Sequence, residues 1–116
     1  MMFALLWMSF IGCGNTEPND TGVSADACEE QLGLTWSNWG DGFFADYCRS
    51  CHSVDTPDRF EAPEGIDFDS EEHVIEWRER IHVRVLEEQT MPLGGGVHAE
   101  DLEMLEIYMN CTIANL

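Results

Sequence analysis

Apolar and polar positions along this chain alternate in blocks with different periods. Met1 to Ile11 is almost entirely apolar, and the following Gly14 to Gly22 is small and polar. Trp36, Trp39, Phe43 and Tyr47 recur at helical spacing, which predicts a helix over Trp36–Tyr47 with one aromatic stripe. Gly40 lies on the striped side and leaves room for another helix to cross closely, whereas Gly33 and Gly42 weaken the helical signal. Ser53 to Phe68 holds Pro57, Pro63 and Gly65 among scattered polar residues and reads as a long ordered loop. A second helix is expected over Ser70–Gln89, with Asp69 and Glu72 as a capping box. Its main apolar face is Val74, Trp77, Ile81 and Val85, widened by Ile75 and Leu86. At 100° per residue, Arg78 and His82 point into that arc. Thr90 to Val97, with Met91-Pro92 and three glycines, is a turn. A third helix is expected over Ala99–Thr112, with Leu102, Leu105, Tyr108, Met109 and Thr112 on one face. Glu100 and Asp101 would stand in its first turn, where the helix dipole favours them. No stretch alternates as a strand, so the expected class is all-α.

Length and charge narrow the picture. At 116 residues there is room for one domain, and so small a domain usually leans on a disulfide, a metal or a cofactor. The formal charge is −18, with 23 acidic residues against five basic ones, all Arg. That excludes nucleic acid, which needs a basic face, and an electrostatic grip on anionic lipid. It suits a protein partner with a basic docking face, or solubility alone. The apolar opening is too short to span a bilayer but matches the core of a signal peptide. Phe10-Ile11-Gly12-Cys13 resembles the lipobox of bacterial lipoproteins, in which the Cys is lipidated and becomes N-terminal. An ordinary signal peptide or a short anchor is the alternative. The expected organisation is a signal peptide over 1–12, a lipidated tether over 13–27 and a folded domain over 28–116. Gly14 after Cys13, in place of Asp, resembles lipoproteins sorted to an outer membrane.

The chemistry concentrates in Cys48-Arg49-Ser50-Cys51-His52. Two thiols at this spacing can each add across a vinyl group of one porphyrin, and the next His is placed to bind its iron. A thioredoxin-like redox pair needs a βαβ pattern, which is absent here. A structural zinc site needs four ligands, and the other Cys and His residues lack paired spacing. A local disulfide is the remaining alternative.

The string resembles the haem-binding motif of class I c-type cytochromes, and the resemblance runs from Trp36 to Met109. It implies a small helical fold around one covalent haem c, held by Cys48 and Cys51 with His52 as iron ligand. It implies that an aromatic helix, here carrying Phe43, Phe44 and Tyr47, leads into the motif, and that the first and last helices cross, at Gly40 and Leu105. It implies that Met91 is the sixth ligand, with a gap-filling core Met as the alternative and His82, His73 and His98 as rivals. The carbonyl of Pro63, or of Pro57, is then expected to accept the free ring N–H of His52. Arg78 and Arg84 are candidate partners for the haem propionates, the alternative for Arg78 being that it snorkels to solvent. More narrowly, the chain looks like the short cytochrome-like lipoproteins of myxobacteria and their relatives.

If Cys13 carries lipid and Cys48 and Cys51 carry haem, Cys28 and Cys111 remain. An oxidising compartment favours pairing them, and two separate buried thiols are the alternative. No nucleophile motif, phosphate loop or calcium loop is present, so an electron carrier in the bacterial envelope is expected rather than an enzyme. Two other functions stay open. One is a haem-free lipoprotein acting as an interaction module, with a structural Cys48/Cys51 pair or zinc site. The other is a haem sensor or peroxidase accessory with an open iron position.

Overall fold

A computed structural model describes residues 25–30 and 33–116. The apolar opening, Cys13 and nearly all of the expected tether lie outside the described residues. The described residues are helical, with no strand among them. In chain order the elements are α1 (Ala25–Glu30), a π-helical segment Trp36–Gly40 running into α2 (Asp41–Tyr47), α3 (Glu71–Glu76), and α4 (Arg78–Ile81). A π-helical segment His82–Glu87 continues α4, and α5 (Ala99–Ile107) is continued by Tyr108–Thr112 and a final turn Ile113–Asn115. Helix α1 begins three residues inside the stretch expected to be tether. The three expected helices are otherwise found within a residue or two of their predicted ends, each partly wound more widely than an α-helix.

Local chemistry explains the helix starts. Thr35 and Asn38 form a reciprocal capping box: Asn38 N–H donates to Thr35 Oγ1 at 3.3 Å, and Thr35 N–H donates to Asn38 Oδ1 at 2.8 Å. The helix after the long loop is capped by Ser70, whose Oγ accepts from His73 N–H at 3.4 Å, and not by Asp69 as the sequence suggested. Asp69 is used elsewhere: its Oδ2 accepts from Val54 N–H at 2.9 Å and pins the loop.

The Trp36–Tyr47 helix and the last helix cross where a side chain is missing. A Cβ on Gly40 would lie 2.9 Å from the ring and hydroxyl of Tyr108 and 3.2 Å from Trp36. Tyr108 is fully buried, lies tilted against Trp39 with ring centroids 5.5 Å apart, and donates its hydroxyl proton to Glu71 Oε1 at 3.2 Å. Burial, with Glu71 beside it, pushes the Tyr108 phenol well above its ordinary pKa, so it stays a donor. Two more bonds hold the crossing. Tyr47 Oη donates to Asp101 Oδ2 at 2.6 Å, and Thr112 Oγ1 donates to the Leu34 carbonyl at 2.7 Å. The core around it is Phe43, Phe44, Phe68, Val74, Ile81, Val85, Leu105, Met109 and Ile113. Leu105, expected at the crossing, is fully buried in this core, and Tyr108 is the residue against Gly40.

Cys28 and Cys111 are paired, with Cα atoms 5.3 Å apart and a sequence separation of 83. That distance is ordinary for a disulfide. The bridge staples α1 to the end of the chain.

Replacing Cys28 and Cys111 together by Ser should cost roughly 4 kcal/mol, read as a lower urea midpoint. Gly40→Ala should cost about 1–3 kcal/mol by overpacking, because Tyr108 is held on two sides. An unchanged midpoint in Gly40→Ala would contradict the close crossing.

Candidate functional site

The Cys48–His52 motif is the turn that unwinds α2. Cys48 N–H and Arg49 N–H both donate to the Phe44 carbonyl at 3.0 Å, and Cys51 and His52 N–H donate to the Cys48 carbonyl at 3.1 and 2.9 Å. Arg49 locks this turn in place. Its Nε donates to the Phe68 carbonyl at 2.7 Å, Nη2 meets Asp41 at 2.6 Å, and the guanidinium stacks 5.4 Å from the Trp36 ring. The turn directs Cys48 and His52 into a cavity of about 280 Å³. Phe43, Phe44, Tyr47 and Phe68 form one apolar wall, and Trp77, Ile81 and Val85 form another. Pro63 and Ile66 of the long loop, and Met91 and Pro92 of the late turn, close the sides.

Within this cavity His52 is held in one tautomer. Its Nδ1 lies 2.8 Å from the Ile66 carbonyl, which can only accept, so Nδ1 carries the proton and Nε2 is left bare as a donor atom. The ring stands 5.3 Å from Phe68. The expected acceptor, the Pro63 carbonyl, is instead taken by Arg59 Nη2 at 2.8 Å. Pro63 still lines the cavity, and Pro57 is exposed and does not. Spacing from the motif locates this loop but not which of its carbonyls turns inward.

Of the four candidates for a sixth ligand, Met91 alone lines the cavity. Its placement is local: Thr90 N–H and Met91 N–H both donate to the Arg84 carbonyl, at 2.8 and 3.0 Å, and the Met91–Pro92 peptide is cis. His82 sits away from it, with Nδ1 3.2 Å from Glu87 in a separate groove against Leu102, Glu103 and Glu106. His73 lies in α3, and His98 is the exposed N-cap of α5.

The cations require a correction. Arg78 does not line the cavity; its side chain is 49% exposed and pairs with Glu79 at 3.6 Å. Arg84 does line it, and so does Arg80, which the sequence reading missed. Arg78 and Arg80–Arg84 border opposite flanks of the same apolar stripe. The cavity lies on the Trp77–Arg80–Arg84 flank, which no helical wheel can choose without knowing the neighbours. Trp77 lines the cavity, and its indole Nε1–H is buried without an acceptor. Two cations at one cavity, Arg80 and Arg84, match a ligand carrying carboxylates.

The thiols differ in setting. With Cys28 and Cys111 paired, Cys48 and Cys51 are both free and half-buried. Burial pushes the Cys48 thiol up to about 12. Cys51 is not among the cavity-lining residues, and its Sγ stands 3.8 Å from Ser50 Oγ. Among the described residues no three His, Cys, Asp or Glu side chains converge as a metal-binding group, so a zinc site at Cys48/Cys51 has no further clustered ligands there. The donor set around the cavity is a soft, mixed one of thiol, imidazole and thioether with cations at its rim, and such a set suits a haem.

A thiol with so high a pKa is a poor nucleophile. In the haem-free protein at pH 8, alkylation of Cys48 should be at least about tenfold slower than in the urea-denatured chain. Equal rates, read by peptide mass spectrometry, would contradict the buried position.

No family model, curated protein or solved structure matches this chain.

Proposed function

We propose that this chain is a monohaem c-type cytochrome with a class I-like helical fold, which relays single electrons in the bacterial cell envelope. The observation that carries this is the meeting, in one apolar cavity, of three groups: the free thiol of Cys48, the bare Nε2 of His52, and the thioether of Met91. The sequence adds Cys51 at the spacing that haem attachment requires.

A haem bound here supplies one-electron chemistry at its iron. The chain's own residues do the rest. Cys48 and Cys51 would provide the two thioether links. His52 would bind iron through Nε2, with its ring fixed by the Ile66 carbonyl. Met91 would provide a soft, neutral donor, which favours the ferrous state and raises the potential. The Phe43, Phe44, Phe68 and Ile81 side chains exclude water. Arg80 and Arg84 would take the carboxylates. The acidic composition favours a redox partner with a basic docking face. Attachment to a membrane through lipid on Cys13 belongs to this proposal and rests on the sequence alone. No helix among the described residues is long and apolar enough to cross a membrane.

Produced in a host with haem-maturation machinery, the protein should show a reduced haem spectrum that survives acid-acetone extraction. Its ferric form should carry the weak charge-transfer band of methionine ligation. Met91→Ala should remove that band, lower the potential and admit carbon monoxide, while the haem stays covalently bound. Retention of the band in Met91→Ala would exclude Met91 as ligand.

A further inference from the structure

The Ile66 carbonyl that orients His52 has a second donor. Arg59 Nη2 reaches the same oxygen at 3.2 Å, while His52 Nδ1 lies at 2.8 Å. Arg59 is the hub of the whole 53–68 loop. Its guanidinium also donates to the carbonyls of Ser53 at 2.7 Å, Pro63 at 2.8 Å and Ala62 at 3.3 Å. It pairs with the Asp67 carboxylate at 2.6 Å, and the two side chains are only 17% and 9% exposed. This web holds Phe60 and Glu61 in the left-handed region, at φ 48° and 66°, a backbone that such residues adopt only when their surroundings fix it.

A carbonyl oxygen has two lone pairs and can accept both donors. Each donor draws density from the oxygen, and a cation draws most. The Ile66 carbonyl is therefore a weaker acceptor for His52 than an unshared carbonyl would be. A weaker bond at Nδ1 leaves less electron density on the imidazole and makes Nε2 a poorer donor to a metal. Asp67 neutralises Arg59 at contact distance, so the direct field of the cation at His52 is small and the shared oxygen is the main route.

We propose that Arg59 is a positioning residue that sets the donor strength of His52 through the shared Ile66 carbonyl, holding the reduction potential of the bound iron up. The proposal rests on the haem reading above, and it deepens that reading by naming a residue outside the motif that tunes it.

The test uses three forms of the full chain: the parent, R59K, and the double variant R59Q/D67N. The double variant removes the guanidinium without stranding a buried carboxylate. R59K keeps the charge and a partner for Asp67, but one ammonium cannot serve the Ser53, Pro63 and Ile66 carbonyls together. The first readout is the His52 Nδ1 proton resonance of the haem-free protein, which moves downfield as its hydrogen bond strengthens. The second is the reduction potential of the haem-loaded protein. Both variants should shift the proton downfield and lower the potential. An unmoved proton in folded variants, or a potential that stays or rises, would overturn the proposal. A potential that falls in R59Q/D67N but not in R59K would also overturn it, because the charge and not the carbonyl would then be responsible. Failure of the parent chain to take up haem would count against the haem reading, while the proton shift in the haem-free protein would still decide whether Arg59 weakens the His52 bond.

Discussion

The architecture depends on a crossing of the Trp36–Tyr47 helix and the last helix that only a glycine permits. Tyr108 occupies the space where Gly40 has no Cβ, and this brings the Tyr47 phenol to Asp101 and the Thr112 hydroxyl to the Leu34 carbonyl. The Cys28–Cys111 bridge ties a third segment, α1, to the same last helix. A small chain that keeps an apolar cavity open loses packing along its lining. Here the loss is offset away from the cavity, by a polar-tipped aromatic crossing and a covalent staple. The rest of the helical frame is then free to turn Phe43, Phe44, Trp77 and Ile81 toward the void.

The cavity has two sources of order. One is helical: the end of α2 delivers Cys48 and His52, and the Arg84 carbonyl at the end of the next long helix anchors the backbone of Met91. The other is the loop over 53–68, which has no regular structure and is organised around Arg59. A loop built on one buried cation and its carboxylate is specific in shape, since its carbonyls must all face the guanidinium. It also gives the imidazole a fixed tautomer without any side-chain acceptor.

Much of this was legible in the chain. Helical periodicity gave the aromatic stripe, the Val74–Val85 face and the last helix, because each buries one side against a single core. The Cys48–His52 string and Met91 stood out by their side-chain chemistry and spacing, and the fold brings Cys48, His52 and Met91 to one cavity. What escaped depends on neighbours. Arg78 and Arg80 border the same stripe, and only the position of the loop decides which faces the cavity. Pro63 was favoured as the acceptor for His52, yet Arg59 claims its carbonyl and leaves that of Ile66 for the ring. Ser70 displaced Asp69 as the cap because Asp69 is drawn to the backbone of Val54. Loop carbonyls and competing caps carry no periodic signal, so their choices appear only once the chain is folded.

The central claim is that Cys48 and Cys51 attach a haem that His52 ligates. It is tested most directly by the intact mass of the purified protein under denaturing conditions, after production in a host that matures c-type haems. A mass increase of one haem in the parent, absent when Cys48 and Cys51 are both replaced by Ser, is the predicted result. A parent mass equal to that of the bare polypeptide, from protein that has been exported and is folded, would contradict it.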